Sequence, residues 1–382
     1  MKRSRIAVVS LFYGESGGAE LFASEVTDRL AESGEFDVHV LATRWRDRTG
    51  KITFHRIDFR KWPRSLLSLS LSIRKMAVEE GFDLIHTHEL LDVADVVTFG
   101  APVALWPKIQ GKKGVPLRTV VDRRVERRLL LSDRLRWILA NSNQSVRWLR
   151  AEYPELAGRP VGVETLYPGV DLRRFAPPSR DERESSRARH AGRFGWKASD
   201  PVGLFVGNYW EHKGLGTALR ALRVLRKKNC PVRLLVMGND RRKERWLSEM
   251  ADLGVKTEDV AFLGEVAEGR EAYFKAADFL VLLSRFESFG TVVLEAVASG
   301  LPVILSSRVP AREILPPDGG SVIEDPMDAF GASQAMEAWI RNSAAREKLA
   351  SQAVEVARTY TWETAAEKTA AVYRDCLTRK RG

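Results

Sequence analysis

The chain has 382 residues, with 61 Lys and Arg against 50 Asp and Glu, and a formal net charge of +11 at neutral pH. That length favours two domains, and a hydrophobic fraction of 44% suits a packed core. The two cysteines, Cys230 and Cys376, lie far apart, which argues against a disulfide framework or a cysteine metal site and fits a reducing compartment.

The apolar run Ile6–Tyr13 predicts a buried first strand. Its basic lead superficially resembles a signal peptide. The run is short, however, and enters Gly14-Glu-Ser-Gly-Gly-Ala-Glu20 without a small-residue cleavage pattern. A helix is predicted over Ala19–Ser33, where Leu21, Phe22, Val26 and Leu30 fall at helical spacing. Strands follow at Phe36–Ala42 and Ile52–Ile57, then a helix over Leu66–Glu80 and a strand tip at Leu84–Thr87. Trp137–Ala140 and Glu164–Leu166 complete the first half. No run approaches the roughly 18 apolar residues of a transmembrane helix.

Between Trp106 and Arg150 lies a basic region that includes Lys108, Lys112, Lys113, Arg118, Arg123, Arg124, Arg127, Arg128 and Arg134. Trp106, Trp137 and Trp148 are interleaved with it. Such a region serves an anionic membrane, an acidic substrate or nucleic acid, or is a solvated helix face whose arginines pair locally. No zinc-finger spacing or aromatic RNA-binding strand accompanies it, so a membrane or lipid partner ranks above nucleic acid.

Tyr167-Pro-Gly-Val-Asp171 and Pro177-Pro178 mark a hinge, followed by a charged stretch, Ser179–His190, read as an exposed helix or linker. The alternation then restarts. Strands are predicted at Val202–Val206, Arg233–Met237, Val260–Leu263, Phe279–Leu283, Val303–Ser306 and Ser321–Ile323. Helices are predicted at Leu215–Lys228, Glu244–Leu253, Glu268–Ala276 and Val292–Ser299, and Ala329–Arg381 reads as helical with a break at Tyr360-Thr-Trp362. Two βα-alternating halves imply two doubly wound parallel sheets.

Four short motifs fall at strand ends. Gly17 and Gly18 let backbone approach a ligand closely, or simply make a tight turn. Ile85-His-Thr-His-Glu89 places two histidines on one face of a strand end; with no third ligand nearby, hydrogen bonding or packing outranks metal. Val206-Gly-Asn-Tyr-Trp-Glu-His-Lys-Gly214 sets Lys213 at the opening of a helix, where a cation neutralises a diphosphate or merely sits on the surface. In Glu287-Ser-Phe-Gly-Thr-Val-Val-Leu-Glu295, one carboxylate precedes a helix and another lies a turn inside it, flanking a helix N-terminus suited to phosphate. An ordinary turn with a surface Glu is the alternative. No Asp-x-Asp triplet, Walker loop or nucleophile elbow occurs.

Together these motifs, with Phe262-Leu-Gly-Glu-Val266 and Pro302-Val303, resemble the retaining glycosyltransferases of family 4 over almost the whole chain. Within the family, the chain most resembles the branch that builds lipopolysaccharide core, typified by the heptose-I glucosyltransferase. The resemblance implies an α/β, GT-B fold: two doubly wound, Rossmann-like domains facing a central cleft. Residues 1–176 would bind acceptor, with 361–382 packing back on them, and 177–360 would bind the nucleotide sugar. It implies a metal-independent hexosyltransferase with no cofactor, using a UDP-sugar, glucose foremost, and an anionic lipid-linked acceptor. The enzyme would be cytoplasmic and peripheral on the cytoplasmic face of the inner membrane.

Residue roles carry over at matching positions. Glu287 holds the donor sugar's hydroxyls, and Glu295 the ribose hydroxyls. Phe289, Gly290 and Thr291 meet diphosphate or sugar through backbone groups, and Lys213 stabilises the departing UDP. Gly17 and Gly18 approach from the first domain, while Gly264 and Val266 line the base pocket. Two departures stand out. Asn208 replaces an Arg that many members carry, which leaves His212 as the basic neighbour of Lys213. The Thr98–Val103 loop also lacks the family's His, leaving the acceptor side open. The competing expectations are a soluble or other glycolipid or exopolysaccharide acceptor, and a nucleic-acid-binding protein on a degenerate GT-B scaffold.

Overall fold

The computed structural model describes residues 3–15, 17–57, 65–109, 114–266 and 268–381; Ser16, Lys112 and Lys113 of the motifs above lie outside the described residues. The chain forms two compact units: unit 1, Met1–Gly169 with Trp362–Gly382, and unit 2, Val170–Thr361. The crossing falls at Gly169–Val170, before Pro177-Pro178. Val170 bridges Thr361 in parallel, and Phe175 packs edge-on against Phe274.

Unit 1 contains a parallel sheet of β1 (Arg5–Val9), β2 (Asp37–Ala42), β3 (Thr53–Arg56), β4 (Leu84–Thr87), β5 (Val96–Phe99), β6 (Trp137–Ala140) and β7 (Gly162–Thr165). Their spatial order is β3-β2-β1-β4-β5-β6-β7. Alternate residues of β1 serve opposite faces, which is why its sequence reads as continuously apolar. Ile6 and Val8 share a core with Phe22 and Val26 of α1 (Gly18–Ser33) and with the C-terminal helix Trp362–Arg381. Ala7 and Val9 face Leu69 and Ile73 of α2 (Ser65–Glu80).

The first strand stops at Val9 rather than running to Tyr13. Leu11 N–H bonds the Glu89 carboxylate at 2.9 Å, and its carbonyl accepts from Thr43 and Arg44, so the ladder is broken there. Phe12–Tyr13 then pairs with Arg44–Trp45 as a separate short ladder. The basic region forms α3 (Leu117–Leu130) and α4 (Asn143–Glu152), two helices absent from the expected elements.

The C-terminal helix is tied to unit 1 along its length. Arg29 meets Glu363, the Trp137 indole donates to Asp375, and Lys380 meets the fully buried Asp95. Near its middle, Tyr373 OH lies 2.7 Å from His86 Nδ1.

Unit 2 contains β8 (Val202–Val206), β9 (Arg233–Met237), β10 (Val260–Gly264), β11 (Phe279–Leu282), β12 (Val303–Ser306) and β13 (Gly320–Ile323). All pairings are parallel, in the order β10-β9-β8-β11-β12-β13. The charged stretch after the prolines is a helix, α5 (Arg180–Phe194), and not a linker. Ser179 and Glu182 form a reciprocal capping box, and Gly195 at φ 69° closes it. Arg183 and Arg187 anchor this helix on the buried Asp278 at the start of β11. The last stretch is three helices, Ala329–Arg341, Ser343–Thr359 and Trp362–Arg381, and the third belongs to unit 1. Among the described residues, no helix is long and apolar enough to cross a membrane.

Candidate functional site

In a doubly wound sheet, ligands bind outside the carboxyl ends of the strands where the order reverses. In unit 2 these are β8 and β11, and the Lys213 and Glu287 motifs follow them directly. A short helix, α6 (Trp210–Lys213), turns at Gly214 into α7 (Leu215–Lys227). Gly214 has φ 87°, and a Cβ there would lie 2.3 Å from the Leu283 carbonyl oxygen, so only glycine lets this turn rest on the end of β11. The close approach brings Lys213 Nζ into an ion pair with Glu287. Their side chains are 24% and 11% exposed, so water screens the pair less than it would a surface pair.

The Glu287 loop is pinned from several sides. Ser284 Oγ donates to Glu287 Oε1 at 2.7 Å, and the Ser284 carbonyl accepts from Ser306 Oγ. Arg285 N–H bonds the His212 carbonyl at 2.9 Å, and Ala311 N–H bonds the Phe289 carbonyl at 2.9 Å. His212 Nε2 lies 3.0 Å from the Phe286 carbonyl, so that nitrogen is the one that donates. Burial holds the imidazole below its usual pKa despite the pull of Glu287. In this arrangement His212 is a neutral brace for the loop.

Gly290, at φ 102°, opens α9 (Thr291–Ala298); Val293 N–H bonds the Gly290 carbonyl at 2.9 Å, and the N–H groups of Thr291 and Val292 have no preceding helical turn to supply an acceptor. The Phe289 side chain is buried, while Gly290 and Thr291 are half-buried at the helix mouth. Glu295, a turn inside the helix, is 5% exposed and ion-paired with Arg270.

Beside this cluster the ends of β8, β9 and β10 converge. Gly238 N–H bonds the Gly264 carbonyl at 2.7 Å, and a Cβ on Gly238 would meet the Gly207 carbonyl oxygen at 2.3 Å. Asn208 Oδ1 accepts from Asn239 N–H at 2.7 Å, so it organises backbone where an Arg would present charge. Gly264 (φ 70°) ends β10, and Val266, half-buried, follows it.

Unit 2 therefore carries Asn208, His212, Lys213, Gly264, Val266, Glu287, Phe289, Gly290, Thr291 and Glu295 on the strand ends, loops and helix starts at and after the carboxyl ends of β8, β10 and β11. A cation and unpaired N–H groups suit a diphosphate there, and carboxylates suit hydroxyls. Ser284 and Arg270 were not singled out from the sequence. Ser284 had a faint signal, three residues before Glu287 at a strand end. Arg270 had none, because its partner lies 25 residues away on another element.

Gly17 and Gly18 belong to unit 1. Gly17, with φ 149°, precedes α1, and Gly18 is the first residue of that helix. At the corresponding reversal in the unit 1 sheet, between β1 and β4, stands Glu89, which accepts from Leu11 N–H. His86 is fully engaged within the core: Nδ1 meets Tyr373 OH, and Nε2 meets Thr98 Oγ1 at 2.9 Å. Burial holds both His86 and His88 well below the usual histidine range. Among the described residues, no cluster of three or more His, Cys, Asp or Glu side chains could hold a metal ion.

Burial, and then the charge of Glu20, push the Glu89 carboxyl from an ordinary 4.5 up to about 7. Between those two values the folded chain keeps a proton that the unfolded chain has lost. Glu89 therefore makes stability fall as pH rises through that window, and has no further effect above it. Glu126, buried and also raised to about 7, adds the same trend. Melting temperature measured from pH 5 to 8 should decline more shallowly in Glu89→Gln than in the parent. Identical slopes would show that Glu89 does not titrate in this window.

Residues 16–174 match the model described as Glycosyltransferase Family 4, and residues 186–356 match Glycosyl transferases group 1. The chain is 28% identical to the D-inositol 3-phosphate glycosyltransferase of Nocardiopsis dassonvillei, over 98% of this chain and 95% of that protein. Among solved structures it is similar to WaaG, a glycosyltransferase involved in lipopolysaccharide biosynthesis, with a TM-score of 0.80 at 20% identity, covering 96% of this chain and 99% of that one. It is also similar to Anabaena HepE, solved in complex with UDP-glucose, with a TM-score of 0.74 at 18% identity, covering 97% and 99% of the two chains.

Proposed function

The chain belongs to the family 4 glycosyltransferases and has the GT-B fold, and from that premise we propose that it moves a hexose, glucose foremost, from a UDP-sugar to a hydroxyl of an anionic lipid-linked saccharide of the lipopolysaccharide-core type, with retention at the anomeric carbon. The observation that carries this reading is the Lys213–Glu287 pair at the mouth of α9, outside the ends of β8 and β11. The bond between C1 and the β-phosphate oxygen breaks. The acceptor oxygen bonds C1 on the same face, and its proton passes to the departing diphosphate. Lys213 and the first-turn N–H groups of α9 stabilise the charge that develops there. Glu287 holds sugar hydroxyls and is not a nucleophile, which separates this site from the two-carboxylate retaining hydrolases. Similarity to HepE, solved with UDP-glucose, supports the donor.

The acceptor is assigned to unit 1, with the lipid surface met by α3. Arg118, Arg123 and Arg127 of that helix are paired with Asp122, Glu152 and Glu155. Arg124 and Arg128 are exposed and carry no ion pair among the described residues, and Val115 and Leu117 beside them are exposed apolar groups. Basic residues beside apolar ones favour an anionic, peripheral membrane contact. A second reading, a soluble phosphorylated polyol acceptor, is favoured by the identity to the D-inositol 3-phosphate glycosyltransferase.

A screen of nucleotide sugars by thermal shift and slow donor hydrolysis tests the donor, and UDP-glucose should give the largest response. Cosedimentation with anionic vesicles then separates the acceptor readings. On the first, Arg124→Glu with Arg128→Glu lowers vesicle binding several-fold, and salt does the same. Absence of vesicle binding, with product formed on inositol 3-phosphate, would favour the second.

A further inference from the structure

Arg270 has no place in the donor chemistry described so far, yet it is built into the site. It precedes α8 (Glu271–Ala276), and its guanidinium lies 5.6 Å from the centre of the Phe175 ring and 5.9 Å from that of Phe274. Those two rings stand edge-on to one another at 5.2 Å, so they confine the guanidinium. Its Nη2 meets Glu295 Oε2. Among the described residues, this is the only hydrogen bond to the Glu295 side chain, and Oε1 has none. Glu295 stands on α9 in an otherwise apolar stretch with Val293, Leu294, Ala296 and Val297 all buried. A lone carboxylate in such a setting would be costly to keep charged, and pairing with a guanidinium offsets part of that cost.

We propose that Arg270 is the positioning residue for nucleotide ribose recognition: it holds one oxygen of Glu295 so that the other is presented, ionised and in a fixed direction, to the 2′- and 3′-hydroxyls. This rests on the reading that Glu295 receives the ribose. The two neighbouring rings restrict where the planar guanidinium can lie, and lysine's single rotatable ammonium would not meet that constraint in the same way. A hydrogen bond from a hydroxyl to a fixed, desolvated carboxylate is among the stronger ones available, and a site built for it rejects a ligand lacking the hydroxyl. Arg270 thus acts through Glu295 and does not touch the donor itself.

The test compares binding of UDP and 2′-deoxy-UDP by calorimetry, with the GDP and ADP pairs alongside, in the full chain. The parent should prefer the ribonucleotide by roughly 10- to 100-fold, the range of one hydrogen bond to a charged group. Arg270→Gln should shrink that preference to within about threefold while leaving the deoxy ligand's affinity nearly unchanged. Arg270→Lys, which keeps the charge, should fall between the two and guards against loss of folding in the Gln variant, with thermal melting as the check. Glu295→Gln should erase the preference as well. If Arg270→Gln and Arg270→Lys keep the parent's preference while Glu295→Gln loses it, the ribose reading stands and the role given to Arg270 is wrong. If Glu295→Gln also keeps the preference, the ribose reading itself fails. A merely structural ion pair would weaken both nucleotides equally and lower the melting temperature.

Discussion

Glu287→Gln should lower hexose transfer by about 10²- to 10³-fold while UDP binding holds or tightens a few-fold. The amide keeps the size of the side chain and can still accept from Ser284 Oγ, so the loop should keep its shape. The negative charge is lost. In the ligand-free protein that charge neutralises Lys213, and the two partly buried side chains satisfy one another. A diphosphate must compete with Glu287 for the ammonium, and removing the carboxylate removes the competitor. Lys213→Met should behave differently, weakening UDP and slowing transfer together, because the cation would be gone from both ground and transition states. Turnover with saturating donor, and UDP titration calorimetry, read the two effects apart. Near-normal transfer by Glu287→Gln would remove Glu287 from the sugar site. Weaker UDP binding in that variant would mean that the carboxylate orients Lys213 toward phosphate and does not compete for it. The double variant should lose less than the sum of the single losses, since the two residues touch.

The same pair shows how far the sequence could be read. Strand β11, the loop and α9 were legible because an apolar run, a glycine and a helical run follow in order, and Lys213 was legible as the opening of a helix after a strand. The alternation of strands and helices also led to the doubly wound parallel sheets, which the strand orders of both units bear out. What sequence could not supply were contacts between distant elements. The Arg270 partnership with Glu295 joins the residue before α8 to a residue inside α9, 25 positions further on. His212 was read as a spare cation beside Lys213; its bond to the Phe286 carbonyl and its burial make it a neutral brace. In unit 1, the break after Val9 comes from a carboxylate 78 residues further along the chain. Helices α3 and α4 were hidden because arginines dominate their surfaces and few positions face the core. Only Glu126, Leu129 and Leu130 of α3 are buried; they fall at helical spacing, but they span a single turn and the first of them is a carboxylate, so no apolar stripe shows in the sequence.

Tyr373→Ala should destabilise unit 1 by about 4–6 kcal/mol, the sum of a large aromatic truncation and a stranded polar partner. Tyr373 is 1% exposed, in the core shared by β1, α1 and the C-terminal helix, and its ring stands edge-on to Phe36 at 5.6 Å. Its hydroxyl answers His86 Nδ1, while Thr98 answers Nε2. A neutral imidazole has one donor and one acceptor, and two hydroxyls satisfy either tautomer. Truncation would leave a cavity and one ring nitrogen of His86 unpaired deep in unit 1. Tyr373→Phe removes only the hydroxyl and should cost about 1–3 kcal/mol, so the two variants divide packing from hydrogen bonding. Hydrogen exchange at β1 and β4 amides would follow the loss, while protection of β8 and β11 in unit 2 should stay at the parent level. Equal loss of protection in both units would mean that they unfold as one cooperative body. Equal destabilisation by Ala and Phe would assign the whole effect to the His86 bond. The position carries a functional consequence too. His86 lies three residues before Glu89, so loosening this core should also broaden the pH response assigned to Glu89, and the slope of melting temperature against pH in Tyr373→Phe reads that coupling directly.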